Sequence, residues 1–155
     1  MRRLFTIIFL SFSVFIFAGC TGSKKITFEK QTLKFTIILG SGGGFTGSYN
    51  GKMIDTTGTV YGWEGRTYYT SDKKIVDSLS QNQITKLNTY FSENNFADYS
   101  FREVGNMTNF LTLTTLDKKI TFSWKESSIP DRVPDKIKEL YYLIINTLNN
   151  TSKKE

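Results

Sequence analysis

Residues 33–47 read LKFTIILGSGGGFTG, and the passage of this stretch from alternation into glycine decides the architecture. Leu33, Phe35, Ile37 and Leu39 alternate with Lys34, Thr36 and Ile38, the period of two that a strand with one well-buried face requires. Gly40 to Gly44 then break the run, and a second strand is expected from Phe45 to Ile54, with Asn50-Gly51 as a bulge or a tight turn. Asp55-Thr56-Thr57-Gly58 reads as a hairpin loop in which Gly58 takes the positive φ. A third, aromatic strand is expected from Thr59 to Thr70, with Tyr61 and Trp63 on one face and Gly65 bending it ahead of Tyr68 and Tyr69.

The elements that follow are marked by local chemistry. Ser80 at an N-cap with Gln83 three residues on predicts a capping box, and Leu79 and Ile84 occupy the positions of a hydrophobic staple. Ile84, Leu87, Tyr90 and Phe91 supply an apolar stripe, and Asn94-Asn95 predicts a left-handed cap with Phe96 folding back. Phe110 to Leu116 and Ile120 to Trp124 make a second hairpin around Asp117-Lys118. Pro130 and Pro134 mark a helix start, and Val133, Ile137, Leu140, Tyr141, Ile144 and Leu148 follow at spacings of three and four. The predicted order β-β-β-α-β-β-α with antiparallel hairpins is an α+β fold: a two-layer antiparallel sheet with two helices, one domain over 33–148. A polar tail, 149–155, follows it.

The chain has 155 residues, with 20 Lys+Arg, 14 Asp+Glu, no histidine and a single cysteine. Without imidazole there is no Ser-His-Asp triad, no Cys-His pair and no histidine metal site. One cysteine forms no internal disulfide and builds no Cys-rich zinc or iron–sulfur site, so no metal and no cofactor is expected. The paired lysines at 24–25, 73–74, 118–119 and 153–154 are scattered over turns and ends as solvated surface, and no nucleic-acid partner is expected.

The amino end reads MRRLFTIIFLSFSVFIFAGC. Its uncharged run from Leu4 to Ala18 is shorter than the ~20 apolar residues of a spanning helix and fits the h-region of a secretory signal, so residues 1–19 are set apart from the fold. Phe17-Ala18-Gly19-Cys20 resembles the bacterial lipobox, although Phe17 stands where leucine is usual. The resemblance implies cleavage before Cys20 and a covalent diacylglycerol on its sulfur. The other reading is a plain signal peptide with a coincidental cysteine. With the lipid in place, 20–32 form the lipidated cysteine and a polar tether, and the exported chain is anchored to a bacterial membrane without spanning it.

The glycine-rich stretch 40–47 invites a phosphate-binding reading, but both flanks read as strands and no Gly-Lys-Ser/Thr follows, so nucleotide is not an expected ligand. Two readings remain for it. One is a plain hairpin connection; the other is a partner-contact loop of Gly43, Gly44, Phe45 and Gly47, where bare backbone lets another chain approach closely. Glu64 and Glu126 are the acids flanked by tryptophan, and hydrolysis would need them ~5–10 Å apart in one cleft. Nothing in the sequence brings them together, and the chain is expected not to be an enzyme. Trp63 and Tyr68 are either core or part of an aromatic platform for glycans.

Gly43-Gly44-Phe45-Thr46-Gly47 after an apolar strand, a capped helix ending at Asn95-Phe96, a Thr-rich hairpin, then Ser127-Ser128-Ile129-Pro130 and a closing helix form an order that resembles emfourin-type domains, the protealysin inhibitors. The resemblance covers most of 33–148 and implies a non-enzymatic domain that inhibits thermolysin-like metalloproteases, with Gly43, Gly44, Phe45 and Gly47 as the residues that carry over. The anchor and the long aromatic third strand depart from that pattern. The expected function is thus a membrane-anchored envelope lipoprotein that binds another protein, with a glycan or cell-wall binding module using the third strand as the alternative.

Overall fold

Leu33, Phe35, Ile37 and Leu39 do point to one buried face, and the elements assembled on it are seen in a computed structural model that describes residues 30–66, 72–125 and 128–151. In chain order these are β1 (Thr36–Gly43), β2 (Ser48–Ile54), β3 (Thr59–Gly65), β4 (Asp72–Ser78), α1 (Gln81–Glu93), a 3-10 turn (Phe96–Asp98), β5 (Met107–Thr114), β6 (Lys119–Trp124) and α2 (Asp135–Thr151). The strands form one six-stranded sheet in the order β4-β3-β2-β1-β5-β6, with every neighbouring pair antiparallel. The fold is α+β, as expected.

Register explains the two layers. Ile37 pairs with Ile54 and Leu113, and Leu39 pairs with Leu111, so these side chains share a face with Val60 and Phe122. Ile84 and Leu87 of α1 and Ile137, Leu140 and Ile144 of α2 join the same buried cluster, which places both helices on that face. Burying each such side chain contributes about 1.5–3 kcal/mol against leaving it in water. At the start of α1 the capping box is present in full: Gln83 N donates to Ser80 Oγ at 3.4 Å, and Ser80 N to Gln83 Oε1 at 2.8 Å.

Four expectations need correction. β1 does not stop at Leu39 but runs on through Gly40 to Gly43, and β2 begins at Ser48, so Phe45 lies in the turn between them. The third strand ends at Gly65, and a fourth, Asp72–Ser78, follows it; Tyr68 lies outside the described residues. β4 shows no alternation because most of it is exposed on both faces, as an edge strand can be. α1 ends on an extended Asn94 (φ −126°, ψ 126°) instead of a left-handed cap; the Asn94 amide donates to Tyr90 O at 2.8 Å, which satisfies a last-turn carbonyl by side chain.

Candidate functional site

The glycine-rich stretch divides into two parts with different duties. In its first part, Gly40 lies in one cross-strand row with Gly51, Trp63 and Phe110 on the face away from the helices. The two glycines leave a trough that the rings fill: a Cβ on Gly40 would come within 2.8 Å of Trp63 Cζ2, and the Trp63 and Phe110 ring centroids are 5.9 Å apart. Tyr49 closes the next row with its ring 6.2 Å from Phe110. Trp63 is consequently only 2 % exposed. Its indole offers no open face on which a sugar could stack, and the glycan reading loses that residue.

In its second part the stretch is a turn. Gly43, Gly44 and Gly47 all take positive φ (120°, 66° and 60°), a region that other residues enter only with strain. Gly47 N donates to Gly44 O at 3.3 Å, and Gly44 N donates to Asn106 O in the loop before β5. This geometry lifts Phe45 fully into solvent at the tip. The four residues expected in a contact loop, Gly43, Gly44, Phe45 and Gly47, are therefore together, while Trp63 belongs to the packed back face.

Two further apolar side chains stand at the same end of the sheet. Met107 pairs with Gly43 and is 52 % exposed, and Val104, three residues earlier, is 79 % exposed. The loop that carries Val104 is pinned on both sides. Glu103 N donates to Ser123 O at 2.9 Å and Gly105 N to Thr108 Oγ1 at 3.2 Å, and Arg132 clamps the Glu103 carboxylate in two-pronged fashion at 2.9 and 2.6 Å. Hydrogen bonding from that guanidinium holds the Glu103 carboxyl below its ordinary range. Val104 and Met107 were not singled out from sequence. Apolar residues beside a strand start are usually core, and only the tertiary position of the loop shows that these two face water.

β2, β3 and β4 also enclose an open cleft of about 720 Å³, lined by Asn50, Lys52, Gly62, Glu64, Lys74 and Val76 among others. Lys52 and Lys74 flank Gly62 in one cross-strand row, and Asn50, Glu64 and Asp72 form the next. Its charges can attract polar groups. Glu64 is exposed on β3, and Glu126 and Cys20 lie outside the described residues. Among the described residues no three acidic side chains converge as metal ligands would, and no helix is long and apolar enough to cross a membrane. No protein-family model matches the chain, and no curated protein matches it either.

Proposed function

We propose that this chain is an exported, lipid-anchored envelope protein that does no chemistry of its own and binds another protein through the Phe45 end of its sheet. The observation that carries the reading is the fully exposed Phe45 on a turn of positive-φ glycines, with Met107 and Val104 also exposed at that end of the sheet. Exposed apolar side chains held on a fixed backbone are what a protein interface uses as anchors, because little conformational entropy remains to be lost on docking. The lone cysteine after Phe17-Ala18-Gly19 supports the anchor. The likeness to emfourin-type domains favours a protease as the partner, with inhibition as the outcome.

The test uses purified residues 21–155 against thermolysin-like metalloproteases and the proteases of the same envelope. Phe45→Ser should weaken binding or inhibition at least tenfold while leaving the melting temperature unchanged, since an exposed side chain contributes within about 0.5 kcal/mol to folding. Equal binding by wild type and Phe45→Ser, or no protease bound by either, would sink the reading.

A further inference from the structure

Two fully exposed apolar tips stand at opposite ends of the sheet. Phe45 is one, and Leu116 in the β5–β6 turn is the other. β1 begins at Thr36, beside Thr114, and ends at Gly43, beside Met107, so its eight residues separate the two ends by about 25 Å. The chain enters the domain at the Leu116 end. There Leu33 N donates to Thr56 O at 2.8 Å and Lys34 N to Asn88 Oδ1 at 3.0 Å, and Gln31 N donates to Gln81 Oε1 at 2.8 Å.

Leu116 is an unusual residue for its place. The turn is closed by Thr115 N donating to Lys118 O at 2.8 Å, which puts Leu116 and Asp117 at its centre, where asparagine, aspartate and glycine are the common choices. Lys118 Nζ reaches the Ala97 carbonyl at 3.4 Å. Lys119, Lys34 and Lys30 are exposed at the same end, which also carries the acids Asp117, Asp98, Asp55 and Asp77. A leucine thus projects beside Lys118 and Lys119, at the end where the chain enters.

Resting on the lipid-anchor reading above, we infer that the β5–β6 tip is a second membrane contact. Leu116 dips into the interface of the bilayer that holds the Cys20 lipid, and the neighbouring lysines meet its anionic headgroups. Residues 20–30 span at most about 35 Å when fully extended, so this end stays within that distance of the surface. A contact too weak to recruit a soluble protein then suffices to orient a tethered one, because the tether makes the second contact intramolecular at an effective concentration near millimolar. Lysines beside an anionic leaflet add to the attraction, which decays within a Debye length. The consequence is directional: the Phe45 end faces away from the membrane, where a partner can reach it.

The experiment uses the full lipidated chain in vesicles of phosphatidylethanolamine and phosphatidylglycerol. Asp117→Cys and, separately, Thr46→Cys carry a thiol-reactive fluorophore, and Cys20, its sulfur alkylated as the diacylglyceryl thioether, takes none. A nitroxide-bearing lipid should quench the label at 117 at least threefold more than the label at 46, and adding Leu116→Asp to Asp117→Cys should abolish that preference. Equal quenching at the two positions, or quenching at 117 unaffected by Leu116→Asp, overturns the inference. Flotation with the vesicles and the mass of the modified Cys20 are measured on the same samples. A chain that does not float or carries no lipid overturns the anchor, and the inference with it; a chain that floats without preferential quenching overturns the membrane contact alone.

Discussion

Asp55 organises the β2–β3 turn with one carboxylate. Its Oδ1 accepts from Thr57 N at 2.8 Å, Thr57 Oγ1 at 2.6 Å and Thr59 N at 3.0 Å, and its Oδ2 accepts from the Tyr61 hydroxyl at 3.0 Å. Partial burial pushes this carboxyl up, but the bonds from Thr57, Thr59 and Tyr61 together outweigh it and hold the group below its ordinary value of 3.8. The same bond to Asp55 is the main reason that the Tyr61 phenol is raised. A carboxyl whose native pKa is depressed contributes stability above its unfolded pKa and loses it as pH falls through the native one. Asp55→Asn should therefore cost about 1–2 kcal/mol at pH 7, a cost that shrinks below about pH 4 as the wild-type carboxyl takes up its proton. Urea unfolding of both proteins at pH 7 and pH 2.5 measures this, and a cost that is the same at both pH values would refute it. This turn was legible in the sequence because its cause is local: Asp55, two threonines and Gly58, which takes φ 86° against Ile84 and Leu79.

Elements held by non-local causes were harder to read, and β1 shows why. Glycine disfavours strands when judged by itself, so Gly40 to Gly43 suggest a break; in the sheet they are required, because the neighbouring backbone and the Trp63 ring occupy the space a side chain would need. A Cβ on Gly51 would lie 2.0 Å from Leu39 O, which is backbone and cannot step aside. A Cβ on Gly47 would meet nothing within 4 Å, leaving only the strain of φ 60°. Gly51→Ala should consequently destabilise by several times the roughly 1 kcal/mol expected of Gly47→Ala. Trp63→Ala should cost about 3–5 kcal/mol by emptying the trough. Thermal melts of the three variants rank them, and a Gly51→Ala protein as stable as Gly47→Ala would show that β1 and β2 can separate. By contrast α1 announced its start through Ser80 and Gln83, a signal confined to one turn, while β4 escaped notice because DKKIVDS has no buried face to impose a period.

The whole molecule adds what neither residues nor single elements contain, namely which ends and edges are left open. That Phe45 and Leu116 stand at opposite ends follows from the direction of β1 and its pairing with β5, and that Val104 joins Phe45 follows from a loop pinned to β6; none of these has a counterpart in the periodicity of the chain. The two edges of the sheet also differ. β6 is covered along part of its length, where Ser123 N donates to Phe101 O at 3.0 Å and Glu103 N returns a bond to Ser123 O at 2.9 Å. Among the described residues no strand lies beyond β4, and Ile75 is 70 % exposed there. An open edge with an exposed isoleucine is a template for pairing with another copy unless something discourages approach, and two features do so: charged side chains line it, Lys73 and Lys74 among them, and the register shift at Val60/Tyr61 disturbs its ladder with β3. Replacing both lysines, as Lys73→Thr with Lys74→Val, should leave the melting temperature of a dilute sample nearly unchanged, because both side chains are exposed, yet drive concentration-dependent association. Light scattering and size-exclusion chromatography of residues 21–155 over a hundredfold range of concentration measure it. Wild type should elute at one position throughout and the double variant should shift to larger species. A double variant that elutes like wild type at every concentration would mean that the disturbed ladder alone guards this edge.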